Sequence, residues 1–183
     1  MPSLRHFLAI PAVLLAATFI RAAESPAAID RANFHAALSG SWQGTLEYRD
    51  YQDPEKRVIL PTLLEAESSA DHSAFLLAFT YDDGPSKKVR TTDILTLDPL
   101  ARTLDWFWGY GKNTTRGQLN AESKPGHLVL VGPGEDGDRP AQIRLTLDYT
   151  ATAIFILKEI SVEGAPFAFR HRYTLTRRTS TQP

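Results

Sequence analysis

The chain has 183 residues, of which 43% are hydrophobic, 22% charged and 10% aromatic, proportions that exclude wholesale disorder and fit a single globular domain. Lys and Arg number 20 against 21 Asp and Glu, a formal charge of -1, and so even a balance argues against a nucleic-acid binder, which carries a basic excess. The absence of cysteine excludes disulfide scaffolds, thiolate zinc sites, iron–sulfur clusters and cysteine nucleophiles together.

Residues 1–23 read as a secretory signal. Arg5 and His6 give a short basic region, and Phe7 to Ile20 an apolar stretch too short for a membrane span of roughly 20 residues. Arg21-Ala22-Ala23 then supplies small residues for cleavage. A lipoprotein would need a cysteine there. The expected product is therefore periplasmic or extracellular, cleaved near Ala22-Ala23, with no stable membrane insertion afterwards. Residues 24–29 form an Ala/Pro/Ser-rich leader, and residues 30–183 one domain.

Asp30 to Leu38 reads as a short helix, with Asp30 as its cap and Ile29, Phe34, Ala37 and Leu38 on its apolar side. From Ser41 the period changes to two. Trp42, Gly44, Leu46 and Tyr48 share one face; Val58, Leu60, Thr62 and Leu64 follow, then Phe75, Leu77, Phe79 and Tyr81. Asp82-Asp83-Gly84-Pro85 is a turn signal. Val89 to Leu97 is the next strand, and Asp98 to Arg102 a hairpin loop. Leu104, Trp106, Trp108 and Tyr110 then share a face. Thr114 to Ala121, Leu128 to Val131, Ile143 to Tyr149, Ala153 to Val162 and Phe167 to Thr176 complete the series, with Gly132 to Pro140 read as a loop. Nothing has the helix lengths of an α/β fold. Hairpin-length connections between sequential strands predict an all-β, antiparallel, up-and-down closed barrel of about eight to ten strands behind one short helix, since closure removes the sheet edges.

Gly40-Ser41-Trp42, placed after a short helix and opening the first strand, resembles the Gly-x-Trp signature of the calycin superfamily, the lipocalins and fatty-acid-binding proteins. The resemblance implies that Trp42 plugs one end of the barrel behind Gly40. It also implies that an arginine of the last strand lies across the indole, and Phe169-Arg170-His171-Arg172-Tyr173 offers Arg170 and Arg172 for that closure. Where fatty-acid-binding proteins often carry an inward Arg-x-Tyr, this chain has His171-x-Tyr173.

The polar candidate is His171, on a face that reads Phe167, Phe169, His171, Tyr173. An imidazole there can donate, accept or ligate. Trp106, Trp108 and Tyr110 can line a cavity with a lightly polar apolar wall, and Tyr48 and Tyr81 add polar handles. Each of these aromatics also suits core filling. Glu135-Asp136-Gly137-Asp138 reads as a solvated turn. No Gly-x-Ser-x-Gly, His-Glu-x-x-His or P-loop is present, no metal spacing links the histidines, and no cofactor is called for. The sequence therefore points to a binding barrel for a small hydrophobic or amphipathic molecule, with His171, Tyr173, Trp106, Trp108, Tyr110, Tyr48, Tyr81 and Phe169 as ligand contacts. The alternative is an envelope interaction or inhibitor barrel with a filled core and a protein partner. A haem-binding barrel and an enzyme built around His171 stand behind these two.

Overall fold

The computed structural model describes residues 29–50, 52–109, 113–137 and 139–179. The signal, most of the leader and Tyr110 lie outside the described residues. One helix, α1 (Arg31–Leu38), precedes ten strands: β1 (Gly40–Arg49), β2 (Arg57–Ser68), β3 (Phe75–Asp82), β4 (Lys88–Asp98), β5 (Thr103–Trp108), β6 (Asn113–Leu119), β7 (His127–Asp136), β8 (Arg139–Tyr149), β9 (Ala153–Val162) and β10 (Ala168–Arg177). Each strand pairs antiparallel with its sequence neighbours, and β10 returns to pair with β1, so the sheet is a closed barrel. Among the described residues no helix is long and apolar enough to cross a membrane.

The closing seam runs from Trp42 opposite Arg177 to Tyr48 opposite His171. Gly44 lets the two strands meet there: a Cβ on it would lie 2.0 Å from the Thr174 carbonyl oxygen. Residues of alternate parity point inward. At the helix end this gives a solid core of Trp42, Leu64, Phe75, Leu95, Leu104, Leu128, Leu145 and Ile156, all fully buried. Asp30 caps α1 by accepting from the Ala32 N–H at 3.0 Å. The helix lays Phe34, His35 and Leu38 over the barrel base, where the Phe34 ring meets Tyr149 edge-on at 5.3 Å.

Trp42 has no exposed surface, and its Nε1 donates to the Leu38 carbonyl at 2.9 Å. The arginine across the indole is Arg177, whose guanidinium carbon sits 4.1 Å from the ring centre. Its Nη1 donates to the Ser39 carbonyl at 2.6 Å and its Nη2 to the Ala37 carbonyl at 2.8 Å. Expecting Arg170 or Arg172 there is thus corrected. The seam register sets Arg177 against Trp42, whereas Arg172 faces Glu47 higher on the same seam and pairs with it. Arg170 is higher still, at the opposite end of the barrel.

Two further expectations change. Gly132 to Pro140 is not a loop, since β7 and β8 pair to Asp136 opposite Arg139. Glycine and proline hid this, but Gly134 has a packing reason: a Cβ on it would lie 2.1 Å from Ile143 Cδ1. Second, the strand face that reads Phe167, Phe169, His171, Tyr173 is broken. The register slips between Phe169 and His171, which oppose Glu159 and Lys158, so Arg170 is the extra residue of a β-bulge. The parity flips, and Phe169 lies outside the barrel beneath the Arg57 guanidinium at 4.7 Å.

Replacing Arg177 by Ala removes the ring contact and the carbonyl caps, and should lower unfolding stability by about 2–4 kcal/mol. Arg172→Ala, losing a half-exposed ion pair with Glu47, should cost about 1 kcal/mol or less. Urea unfolding of the two variants side by side measures this, and equal losses would contradict the assignment of the closing arginine.

Candidate functional site

The barrel end away from Trp42 is open. β6 and β7 pair only through Gln118 and Leu119 with Val131 and Leu130, so their far ends are not zipped. A cavity of about 720 Å³ enters there, bounded by Trp108 and Thr115 on one side, Asp136 and Ile143 on another, and Lys158, Arg170 and His171 across it. Its size suits a small organic ligand.

The floor is built from a fixed pair of indoles. Trp106 and Trp108, two apart on β5, project inward and stack at 4.5 Å with planes 6° apart. Both N–H groups are tied: Trp106 Nε1 donates to Asp93 Oδ2 at 3.1 Å, and Trp108 Nε1 to Thr115 Oγ1 at 2.9 Å. Asp93 is buried and also accepts from the Gly109 N–H at 2.8 Å. Burial raises its carboxyl above the usual range, against the pull of those donors. Asp93 thus fixes the Trp106 ring and the start of the β5–β6 turn, and Thr115 holds Trp108.

His171 meets Trp108 edge-on at 5.7 Å and Tyr173 at 5.5 Å. Beneath it the Tyr173 and Tyr81 hydroxyls lie 2.9 Å apart, and burial raises the Tyr81 phenol above its ordinary value. The His171 ring is half-buried, but its Nε2 is enclosed and has no hydrogen-bond partner among the described residues. Desolvation, reinforced by Lys158 and Arg170, lowers its pKa to about 3, so the ring is neutral at physiological pH.

The wall is cationic. Lys158 stands opposite His171 on β9 with its Nζ 4.7 Å from the centre of the Trp108 ring. Desolvation first, then the charge of Arg170, brings its pKa down to about 8; Asp136 and Asp93 pull the other way. The bulge turns Arg170 into the mouth, where its side chain is only 12% exposed. Its Nη1 donates to the Arg49 carbonyl at 3.1 Å. Asp136 is bracketed by three arginines: Arg139 at 3.5 Å, Arg49 at 3.6 Å and Arg170 at 3.8 Å. Among the described residues Lys158 is in no ion pair, and Glu135 and Asp136 are the carboxylates that line the cavity with Lys158 and Arg170.

Of the residues singled out from sequence, His171 and Trp108 line this cavity. Trp106, Tyr81 and Tyr173 are buried beneath them. Tyr48 stands opposite His171 across the seam, half-buried. Phe169 is outside, Gly40 and Trp42 are at the far end, and Arg170 moves from the expected closure to the cavity wall. Sequence reasoning missed Lys158, Asp93, Asp136 and Arg177. Two signals were present: Lys158 interrupts Ile154, Ile156 and Ile160 on one inward face, and Asp93 continues the face of Leu95 and Leu97. Among the described residues no group of three or more metal-ligating side chains could hold an ion.

No family model matches the chain, and no curated protein does. Among solved structures it is similar to the S-type phycobiliprotein lyase CPES from Guillardia theta, with a TM-score of 0.57 at 10% identity, over 84% of this chain and 95% of that one. At that identity the likeness is one of fold, and the molecule is a lipocalin-like barrel.

The neutral His171 has a consequence for stability. The unfolded chain takes up a proton near 6.5 and the folded chain only near 3, so stability falls as the pH drops through that window. His35, lowered by its own burial, adds to the same trend. His171→Gln should flatten part of the decline while leaving that of His35. Urea midpoints between about pH 4 and pH 7 test this; identical slopes in both proteins would refute a neutral His171.

Proposed function

We propose that this protein is a non-catalytic carrier or sensor of a small amphipathic molecule bound in the cavity above Trp108. The observation that carries the reading is the pairing, in one open cavity of about 720 Å³, of a fixed indole face with the cationic side chains of Lys158 and Arg170. A flat apolar body would lie against Trp108, and an electron-rich oxygen group would meet Lys158 and Arg170. Charge-assisted hydrogen bonds in a partly desolvated site are stronger than neutral ones. The alternative of a filled barrel describes only the half of the interior near Trp42. The solved phycobiliprotein lyase is a neighbour in fold, which supports reading the barrel as one that handles a small ligand. In this reading residues 1–23 act as an export signal, and such a carrier would meet ligands from outside the cytoplasm.

The naphthalene acid 2-naphthoate is a suitable probe. It should quench tryptophan emission saturably and bind with one-to-one stoichiometry. Lys158→Met or Arg170→Met should each weaken binding about tenfold, the scale of one lost charge-assisted hydrogen bond. Affinity should also fall as the pH rises past about 8, where Lys158 gives up its proton. Quenching that never saturates, or that is unchanged in both variants, would remove the basis of the proposal.

A further inference from the structure

We propose that Lys158 captures its ligand covalently and reversibly, as an imine with a conjugated aldehyde or ketone seated on Trp108. The inference deepens the binding reading and rests on it. Among the described residues Lys158 is the lysine that lines the cavity. Lys56 and Lys87 are 63% and 66% exposed, and Lys88 and Lys124 are also on the surface. Lys158 projects from an otherwise apolar inward face and has no carboxylate within ion-pair distance among the described residues; its cation is stabilised by the indole and, at longer range, by Asp136 and Asp93. The charged and titratable groups that face it are Arg170 and His171 from β10, Asp136 from β7 and Asp93 from β4; on β8 its partner is Leu145. Arg170 opposes the ammonium form. Asp93 is engaged by Trp106 and Gly109, and Asp136 by three arginines, so neither carboxylate holds the lysine.

The chemistry needs nothing beyond the ligand. The neutral amine adds to the carbonyl carbon, forming a C–N bond as the C=O π pair moves to oxygen. A proton passes from nitrogen to that oxygen. The carbinolamine then loses hydroxide with a second proton from nitrogen, releasing one water and leaving C=N. Because the cavity opens to solvent, water can leave and can return to reverse the step. A conjugated carbonyl suits the site best: its apolar body would lie beside Trp108, whose ring is stacked on Trp106 and faced by Lys158, and an acid group elsewhere on the molecule would reach Arg170.

The full chain is incubated at about pH 7.5 with 2-naphthaldehyde and sodium cyanoborohydride, which reduces an imine to a stable amine; 2-naphthylmethanol is titrated in parallel as a ligand that cannot form one. Peptide mapping should place the adduct on Lys158, formed roughly 10- to 100-fold faster than the mean of the exposed lysines, because far more of its amine is neutral at that pH. The rate should rise with a midpoint near 8 rather than near 10.5. Lys158→Arg should abolish the fast adduct, and that loss should far exceed any change in 2-naphthylmethanol affinity of the same variant. Adducts spread evenly over the lysines, or no adduct while the alcohol still binds, would overturn imine capture and leave the binding reading standing. Failure of the alcohol, the aldehyde and 2-naphthoate alike would overturn both.

Discussion

Everything in this molecule depends on how β1 meets β10. A meander of ten strands has two open edges unless the first and last find each other, and here they do so in a register with Trp42 against Arg177 at one end and Tyr48 against His171 at the other. Gly44 is what allows the approach, because any side chain there would strike the Thr174 carbonyl. The lower contact makes the barrel a cup: Arg177 covers the indole and ties the carbonyls at the end of α1, so the helix, the first strand and the last are joined at one point. The upper end of the seam carries His171 to the cavity rather than to the core.

The same strand supplies both ends because it contains a bulge. Without it, Arg170 would follow the outward parity of Arg172 and form another surface ion pair. The extra residue instead turns the guanidinium into the mouth and puts Phe169 outside. Bulges commonly re-aim a side chain in this way near functional sites. The local charge balance follows: Asp136 is neutralised several times over, and Lys158 is left with a positive neighbour and no negative partner.

Period-two alternation carried most of the fold. It placed Trp42, Leu64, Phe75, Phe79, Leu95, Leu104 and Trp106 inward, and all are buried. It failed where a local rule was broken for a reason outside the strand. Gly134 and Pro133 look like loop residues, yet the glycine is there because Ile143 occupies the space beside it. A one-residue bulge leaves no periodic trace, so Phe169 was assigned to the wrong face and Arg170 to the wrong end. Arg177, after the alternating run, could be found only through the seam register. The site was less legible than the fold because its lining comes from six strands that meet only in space, though a lysine among three isoleucines was a usable sign.

Asp93 and Lys158 show why two buried ionisable groups in one barrel have different meanings. Asp93 receives donors from Trp106 and Gly109, so its polar atoms are satisfied by the chain itself, and removing it would loosen the indoles. Lys158 carries three donors but, among the described residues, has a ring face and no ion-pair partner beside it. Withdrawing an ammonium from water costs several kcal/mol unless something compensates, and an isoleucine like its neighbours would fit the inward face at less cost. Trp108 and the more distant Asp136 and Asp93 supply part of that compensation, and under the proposed function what enters the cavity adds to it, as an oxygen group that pairs with the ammonium or a carbonyl that reacts with the amine.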